Sequence, residues 1–519
     1  MKIFKYFRAP VGADAEVSLW RSLCGYATAL FLVIIVLPLS HQGMFFDGVI
    51  YATLAKNLHL GYSTLWRPVF SETILNPFYE HPPLAIYFQS LFFKLFGSEF
   101  GAEQAYAITM ALGQFGLIAW YWLYKHKTHR VYLGLLLLLW IITPLNWQYI
   151  KNYLIATLTL FTTLASLVLM VRVETKKGLF LQYWVCSLCI AIAFFCDGPV
   201  AFFPLVIPIL RQIIYKPTST HVGYMETVLL GLMLAVCFYT FFKIFPEAVY
   251  NIEQFLHQQV LASVQGTRSA VSLNTVGIRH LLIVILILKA YTPISLFALS
   301  CILLSAKIAQ QSLWTTLVHH LKNKHFLFLL SIALVASLPI GLSCRQGMRY
   351  ILPSAPFAIL AMMELSFRPF AALLAHGVRQ SSFKLHYAAW HVMFALSVVC
   401  IGTVNLVKYH QSDIAKIIQD VHHIDVYCAN EALCRRHHIF SADNSKVLYD
   451  ISFYLARYAH TQMSVALEAG FPYHIGFKND PIPAGYHTVE LPLSIFRLTV
   501  VNARHAGLKT SVPNPIQAL

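Results

Sequence analysis

The chain is poor in charge. Asp, Glu, Lys and Arg make up 12% of its 519 residues, about half the roughly 25% of soluble domains. Acidic residues are the scarcer sign, 22 against 38 Lys and Arg, for a net charge of +16. There is no Gly-rich loop to cradle a nucleotide phosphate, no Gly-x-Ser-x-Gly elbow and no Cys-x-x-Cys-His run. Nothing therefore points to a P-loop enzyme, an α/β-hydrolase or a c-type haem protein. Internal repeats and low-complexity tracts are also missing. No small-residue cleavage site follows the first apolar window, so Lys2, Lys5, Arg8 and Arg21 flank a retained anchor rather than a signal peptide.

What is abundant is apolar surface, at 58% hydrophobic residues. Several windows reach the roughly 20 apolar residues that span a bilayer. The sequence predicts eleven spans, near 22–40, 102–124, 131–145, 153–171, 179–196, 199–215, 227–245, 281–304, 326–343, 350–366 and 387–407. Cys24, Cys186, Cys189, Cys196, Cys237, Cys301 and Cys400 fall inside such windows and read as small buried hydrophobes. Cys428 and Cys434 lie in a polar region on one predicted side. An oxidising compartment would let them pair, which spacing alone does not decide.

Charge decides the status of window 81–97. With the basic N-terminus inside, and 81–97 not crossing, Lys125, Lys127, Arg130, Arg172, Lys176, Lys177, Arg211, Lys216, Lys307, Lys322, Lys324, Arg368, Arg379 and Lys384 all fall inside. Counting 81–97 as a span would put most of them outside, so it reads as a juxtamembrane or re-entrant helix on the outer surface. The excess positive charge then serves orientation and attraction to anionic lipid, and no nucleic-acid partner is implied. The outside receives loop 41–101, loop 246–280, short tips including 344–349, and the tail 408–519. The tail is polar with short apolar runs among Gly and Pro turns, and predicts a small soluble α+β domain.

Polar chemistry concentrates on that outer side. Asp47 opens the first loop, followed by Tyr51, and the loop closes on Glu80-His81-Pro82-Pro83. The two prolines stiffen the backbone before the next helix and fix the direction of the Glu80 and His81 side chains. A carboxylate there suits general-base work, and a carboxylate with an imidazole suits a divalent metal. The alternative is a solvated loop whose prolines simply start a helix. Glu253 and His257 share a face if their loop is helical, either as ligands or as an ordinary amphipathic surface. Arg345 and Arg349 beside Tyr350 suit phosphate binding or interfacial anchoring. Lys289 sits inside an apolar window, where a charge is costly.

Taken together, Phe46-Asp47-Gly48-Val49-Ile50-Tyr51-Ala52, Ala55-Lys56-Asn57-Leu58, Glu80-His81-Pro82-Pro83-Leu84 and Phe96-Gly97 resemble the first periplasmic loop of GT-C glycosyltransferases. The nearest group is the bacterial one related to the lipid A aminoarabinose transferase and the protein O-mannosyltransferases. Asp197-Gly198-Pro199-Val200 resembles that group's Lys-Gly-Pro segment, and Arg349-Tyr350-Ile351-Leu352-Pro353 its Tyr-Ile-Leu-Pro segment. The resemblance covers about residues 20–405. It implies a mainly α, polytopic GT-C architecture over 1–407 with periplasmic juxtamembrane helices, beside the C-terminal domain that composition sets apart over 408–519. It also implies transfer of a sugar, usually with inversion, from a polyprenyl-phosphate-linked donor to a lipid, glycan or protein acceptor at the periplasmic face of a bacterial inner membrane.

By position the resemblance makes Asp47 the residue that deprotonates or orients the acceptor. Tyr51, His81, Arg268, Arg345, Arg349 and Tyr350 become contacts to the donor or its phosphate. Glu80 and His257 become holders of a divalent metal of unknown identity. Three positions depart from the pattern. Gly48 stands where many relatives have a second acid, His81 replaces the lysine of Glu-Lys-Pro, and Asp197 replaces the lysine of Lys-Gly-Pro. A transporter or flippase of lipid-linked glycans, or an envelope assembly protein that kept the fold without catalysis, are the alternatives.

Overall fold

Inside a bilayer no water is available to the backbone, so apolar segments close their own hydrogen bonds as helices. The computed structural model describes residues 13–39, 46–71, 74–97, 101–127, 132–148, 153–171, 176–216, 221–267, 276–343, 346–378, 383–410, 413–430, 439–440, 453–458, 463–464, 473–482 and 484–501. All eleven predicted windows carry helices. Among the described residues, five helical stretches suffice by length and composition to cross a membrane: Gly178–Asp197, Val222–Ile244, Leu282–Ile308, Lys324–Leu342 and Met348–Leu373. The chain is a multi-pass membrane protein on this pattern. Shorter apolar helices occupy Arg21–Val36, Leu133–Ile142, Leu154–Met170, Pro199–Tyr215 and Phe394–Val407.

Contacts divide the chain into two compact units. The first comprises Met1–Ser40, Tyr79–Phe92 and Glu103–Leu406, and the second His41–Phe78, Phe93–Ala102 and Val407–Leu519.

In the first unit, α1 (Ala13–Phe31) packs on α2 (Leu133–Ile142). Gly134 makes that approach close, since a Cβ there would lie 2.8 Å from Leu23 Cβ. Small residues at such crossings let two backbones meet. Next in the bundle are α3 (Tyr153–Met170) and α4 (Lys176–Asp197), which pack along their lengths. Helix α3 buries Thr157, Thr159, Thr162, Thr163 and Ser166. Thr159, Thr162 and Ser166 return their hydroxyls to carbonyls one turn back, at 2.6, 2.9 and 2.7 Å, which removes the cost of burying them. The segment after α4 starts as a 3-10 helix, Pro199–Val206, because Pro199 and Pro204 donate no N–H, and then continues as the α-helix Ile207–Tyr215. Of those five stretches Met348–Leu373 is the most enclosed, and its helix Ala355–Val378 packs against Val276–Ile308 and Lys324–Ser337.

The helix that follows Pro82-Pro83 runs Leu84–Phe96. Its 13 residues span about 20 Å, short of the roughly 30 Å hydrocarbon core.

In the second unit, α5 (Phe46–His59) carries Asp47 in its first turn and Lys56 and His59 in its last, in line with the helix dipole. Asn57 Nδ2 donates to the carbonyls of Val69 (2.9 Å) and Phe70 (2.8 Å), which folds the loop back on the helix. Lys56 Nζ donates to the carbonyl of Arg457 at 3.0 Å, and Phe70 meets the Phe453 ring edge-on at 5.1 Å. The first loop and the tail therefore share one unit. Among the described residues the tail supplies a helix, α6 (Asp413–Asn430), and strands β1 (Ile439–Phe440), β2 (Met463–Ser464), β3 (Tyr473–Phe477), β4 (Tyr486–Thr488) and β5 (Phe496–Val501), which form one mixed sheet of order β2-β1-β3-β5-β4. Its main pair is antiparallel, Tyr473–Phe477 with Phe496–Val501, in the register Ile475↔Leu498. Ile417, Val421, Ile424 and Cys428 form the buried stripe of α6. Fully buried Asp420 on that helix accepts the backbone N–H groups of Ser494, Ile495 and Phe496 at 2.5, 2.7 and 3.0 Å. Cys428 is disulfide-bonded, and Cys434 lies outside the described residues.

Candidate functional site

Three segments singled out in the sequence meet in the first unit: Glu80–Pro83, the turn at 197–199 and the helix Glu247–Phe255. Pro82 and Pro83 are buried and start the Leu84–Phe96 helix, which fixes the backbone carrying His81. His81 Nδ1 lies 2.8 Å from Oδ1 of Asp197, with side-chain exposures of 22% and 9%. The His81 ring centroid is 6.2 Å from that of Phe255, and Tyr79 meets Tyr250 edge-on at 5.6 Å. Gly198 makes the turn, at φ 97° and ψ −152°. A Cβ there would fall 2.7 Å from Cζ of Phe255.

Asp197 occupies a costly position. It is the last residue of α4, where the helix dipole disfavours an anion, and it is nearly out of water. A buried carboxylate needs a partner, and His81 supplies it. The two departures from the GT-C pattern, at 81 and 197, are thus in contact with each other.

Arg349 and Tyr350 lie on a 3-10 turn, Met348–Ser354. The guanidinium sits 5.0 Å from the Tyr350 ring centroid, and Nη2 donates to the Tyr350 hydroxyl at 3.1 Å. This holds the fork of Arg349 half-buried in a defined place. Arg268 and Arg345, the other expected phosphate ligands, lie outside the described residues.

Asp47 and Tyr51 belong to the second unit. Asp47 is half-buried in the first turn of α5, while Tyr51 is buried with its ring 6.4 Å from that of Phe78. Glu80 is half-buried and His257 exposed on a π-helical turn, Leu256–Leu261. Among the described residues no three His, Cys, Asp or Glu side chains gather as a metal site. Lys289 is exposed on the long helix Val276–Ile308.

One polar cluster escaped sequence reasoning. Glu364, 6% exposed, receives His126 through Nε2, and His325 Nε2 lies 3.7 Å from the same carboxylate oxygen. Tyr215 and Tyr121 hydroxyls approach the two His325 ring nitrogens at 3.0 and 3.4 Å. The available signal was an acid inside the apolar window 350–366, which marks a polar interior by default.

No protein-family model matches the chain, and no curated protein matches its sequence. Solved structures do match. ArnT from Cupriavidus metallidurans bound to undecaprenyl phosphate superposes with a TM-score of 0.61 over 93% of this chain and 98% of that chain, at 12% identity. The apo state of ArnT gives 0.58 over 96% and 100%, at 13% identity. The chain has the GT-C fold of ArnT. ArnT is a lipid A aminoarabinose transferase, and the likeness runs through both compact units, since nearly the whole length of each chain is covered. The mainly helical fold expected from the resemblance is therefore the observed one.

Proposed function

We propose that the chain is a membrane glycosyltransferase that moves a sugar from a polyprenyl-phosphate-linked donor to an acceptor at the periplasmic face of a bacterial inner membrane. The observation that carries this is the whole-length match to ArnT, one of whose structures holds undecaprenyl phosphate. The motif resemblance at 46–84, 197–200 and 349–353 supports it independently. The disulfide at Cys428 supports an oxidising, outer location for the tail.

A polyprenyl tail stays in lipid and leaves its sugar at headgroup level, so the reaction belongs at the membrane surface. The acceptor oxygen attacks the anomeric carbon, and the bond from that carbon to the phosphate oxygen breaks with inversion. The electron pair leaves on polyprenyl phosphate. Asp47 takes or orients the acceptor proton, on the resemblance of its motif. Arg349, with Arg268 and Arg345, stabilises the departing anion. A divalent metal at Glu80 and His257 would assist that same charge. The transporter alternative draws on intramembrane charge, for which exposed Lys289 and the Glu364 cluster are the candidates.

The test incubates purified chain in lipid vesicles with polyprenyl-phosphate sugars and hydroxyl or phosphate acceptors. Wild type is expected to transfer sugar, and Asp47→Asn to lose about 10²- to 10⁴-fold in kcat if Asp47 acts as the base. Transfer unchanged in Asp47→Asn sinks the role of Asp47. No transfer by wild type with any donor, together with donor movement across the bilayer, establishes the transporter reading instead.

A further inference from the structure

The helix that carries Asp47 is enclosed on every side. A helix at a protein surface ordinarily buries one stripe and exposes the rest. In α5 every residue from Gly48 to Asn57 is buried, a run longer than two full turns. Asp47 itself, at the start, is half-buried.

The tail reaches this helix through Lys56. That side chain is 7% exposed. Its ammonium has three hydrogens to place, and a buried charge is costly without acceptors. Nζ donates to the carbonyl of Arg457 at 3.0 Å and to that of Ala456 at 3.2 Å. Both carbonyls belong to the helical segment 453–458, which is held from two further directions. Arg457 is fully buried, its guanidinium 4.8 Å from the ring centroids of both Phe93 and Tyr458. Phe453 meets Phe70 edge-on at 5.1 Å. All of these residues belong to the second unit. Asp47 and Lys56 share one unbroken helix and lie about 14 Å apart along its axis. A short helix moves as a body, so an anchor at one end fixes the carboxylate at the other. A misplacement of about 1 Å at a reacting group costs up to about 10²-fold in rate.

We propose that Lys56 is a positioning residue: its ammonium ties α5 to the tail segment 453–458 and thereby sets the place of Asp47, so that the tail takes part in sugar transfer without touching the substrate. For the role of Asp47 this rests on the glycosyltransferase reading. Lys56→Met keeps the length of the side chain and removes the three donors, and Phe453→Leu loosens the same anchor from the tail side.

Hydrogen exchange of the full chain in lipid vesicles tests the anchor without substrate. Lys56→Met is expected to speed amide exchange in both 46–60 and 453–458, and to leave Leu282–Ile308 as in wild type. Exchange in 46–60 that stays at the wild-type rate overturns the proposal whatever the chain's activity. Kinetics test the consequence. Lys56→Met is expected to lower kcat for transfer by about 10- to 100-fold, with undecaprenyl phosphate affinity within about twofold of wild type. Phe453→Leu, folded as Lys56→Met need not be, is expected to show the same split in smaller measure. Added to Asp47→Asn, Lys56→Met is expected to cost less than about threefold more, because the two act through one carboxylate. A Lys56→Met loss that multiplies in full with that of Asp47→Asn overturns the proposal. So does an undecaprenyl phosphate affinity that falls as far as kcat, which would put Lys56 at the donor. A Phe453→Leu chain with faster exchange in 453–458 and wild-type kcat overturns it as well. Failure of wild type to transfer sugar refutes the glycosyltransferase reading separately, and the exchange measurement still decides the anchor.

Discussion

Replacing Gly198 by alanine places one methyl group where the backbone and a neighbour both refuse it. At φ 97° and ψ −152° the residue occupies a region that is essentially glycine's alone, at a cost of about 1–3 kcal/mol for any other residue. The new Cβ would also sit 2.7 Å from Cζ and 2.9 Å from Cε1 of Phe255. That ring is 3% exposed, so it yields only by disturbing its surroundings, and such overpacking costs roughly 1–3 kcal/mol. The sum is about 2–6 kcal/mol, a large part of an ordinary stability of roughly 5–15 kcal/mol. At about 2–4 °C per kcal/mol for a domain of a few hundred residues, the melting temperature falls on the order of 10 °C. Thermal unfolding of the detergent-solubilised chain measures this. Gly231→Ala is the control, because a Cβ there meets nothing within 4 Å and lies in a helix interior, where alanine is favoured. Phe255→Leu in the Gly198→Ala background is expected to recover the steric part and leave the backbone part. A Gly198→Ala chain that melts with wild type refutes the reasoning and the geometry of the turn that carries Asp197.

Three further outcomes follow from buried charge. Asp420→Ala leaves three backbone N–H groups without their acceptor, so limited proteolysis and melting should register a loss of about 3–5 kcal/mol, with Asp420→Asn losing clearly less. Equal behaviour of the two variants contradicts this account. Glu364→Ala removes the carboxylate shared by His126 and His325 and should cost about 3–5 kcal/mol. Glu364→Gln keeps a polar contact and should be milder, in chemical unfolding of the solubilised chain. His320 is held down to about 4, first by burial and then by His319 and Arg368. Its folded value lies below the ordinary 6.5, so the unfolded chain binds the proton more readily. The stability it contributes is complete above pH 6.5 and is lost as pH falls toward 4. Melting at pH 7 and pH 4.5 should differ less in His320→Gln than in wild type, and an undiminished difference removes His320 as the cause.

The sequence by itself determined the helical membrane class. A long continuous apolar run in lipid closes its backbone hydrogen bonds within itself as a helix, and the eleven windows carry helices accordingly. Motif spacing also sufficed to place Glu80-His81-Pro82-Pro83 ahead of a short helix, because proline acts on the turn it occupies, whereas the helix start at Asp47 came from the structure. Pairing was not legible. His81 and Asp197 are 116 positions apart, and each looked like an isolated departure until the turn at Gly198 brought the carboxylate to the imidazole. Lys56 and Asn57 read as parts of a loop motif, yet their donors go to carbonyls at 457 and at 69 and 70. Glu364 lay in an apolar window, and only the bundle showed the two histidines that make it tolerable there. Local chemistry is written along the chain, whereas the partner that neutralises a buried charge is chosen by packing between segments far apart in sequence.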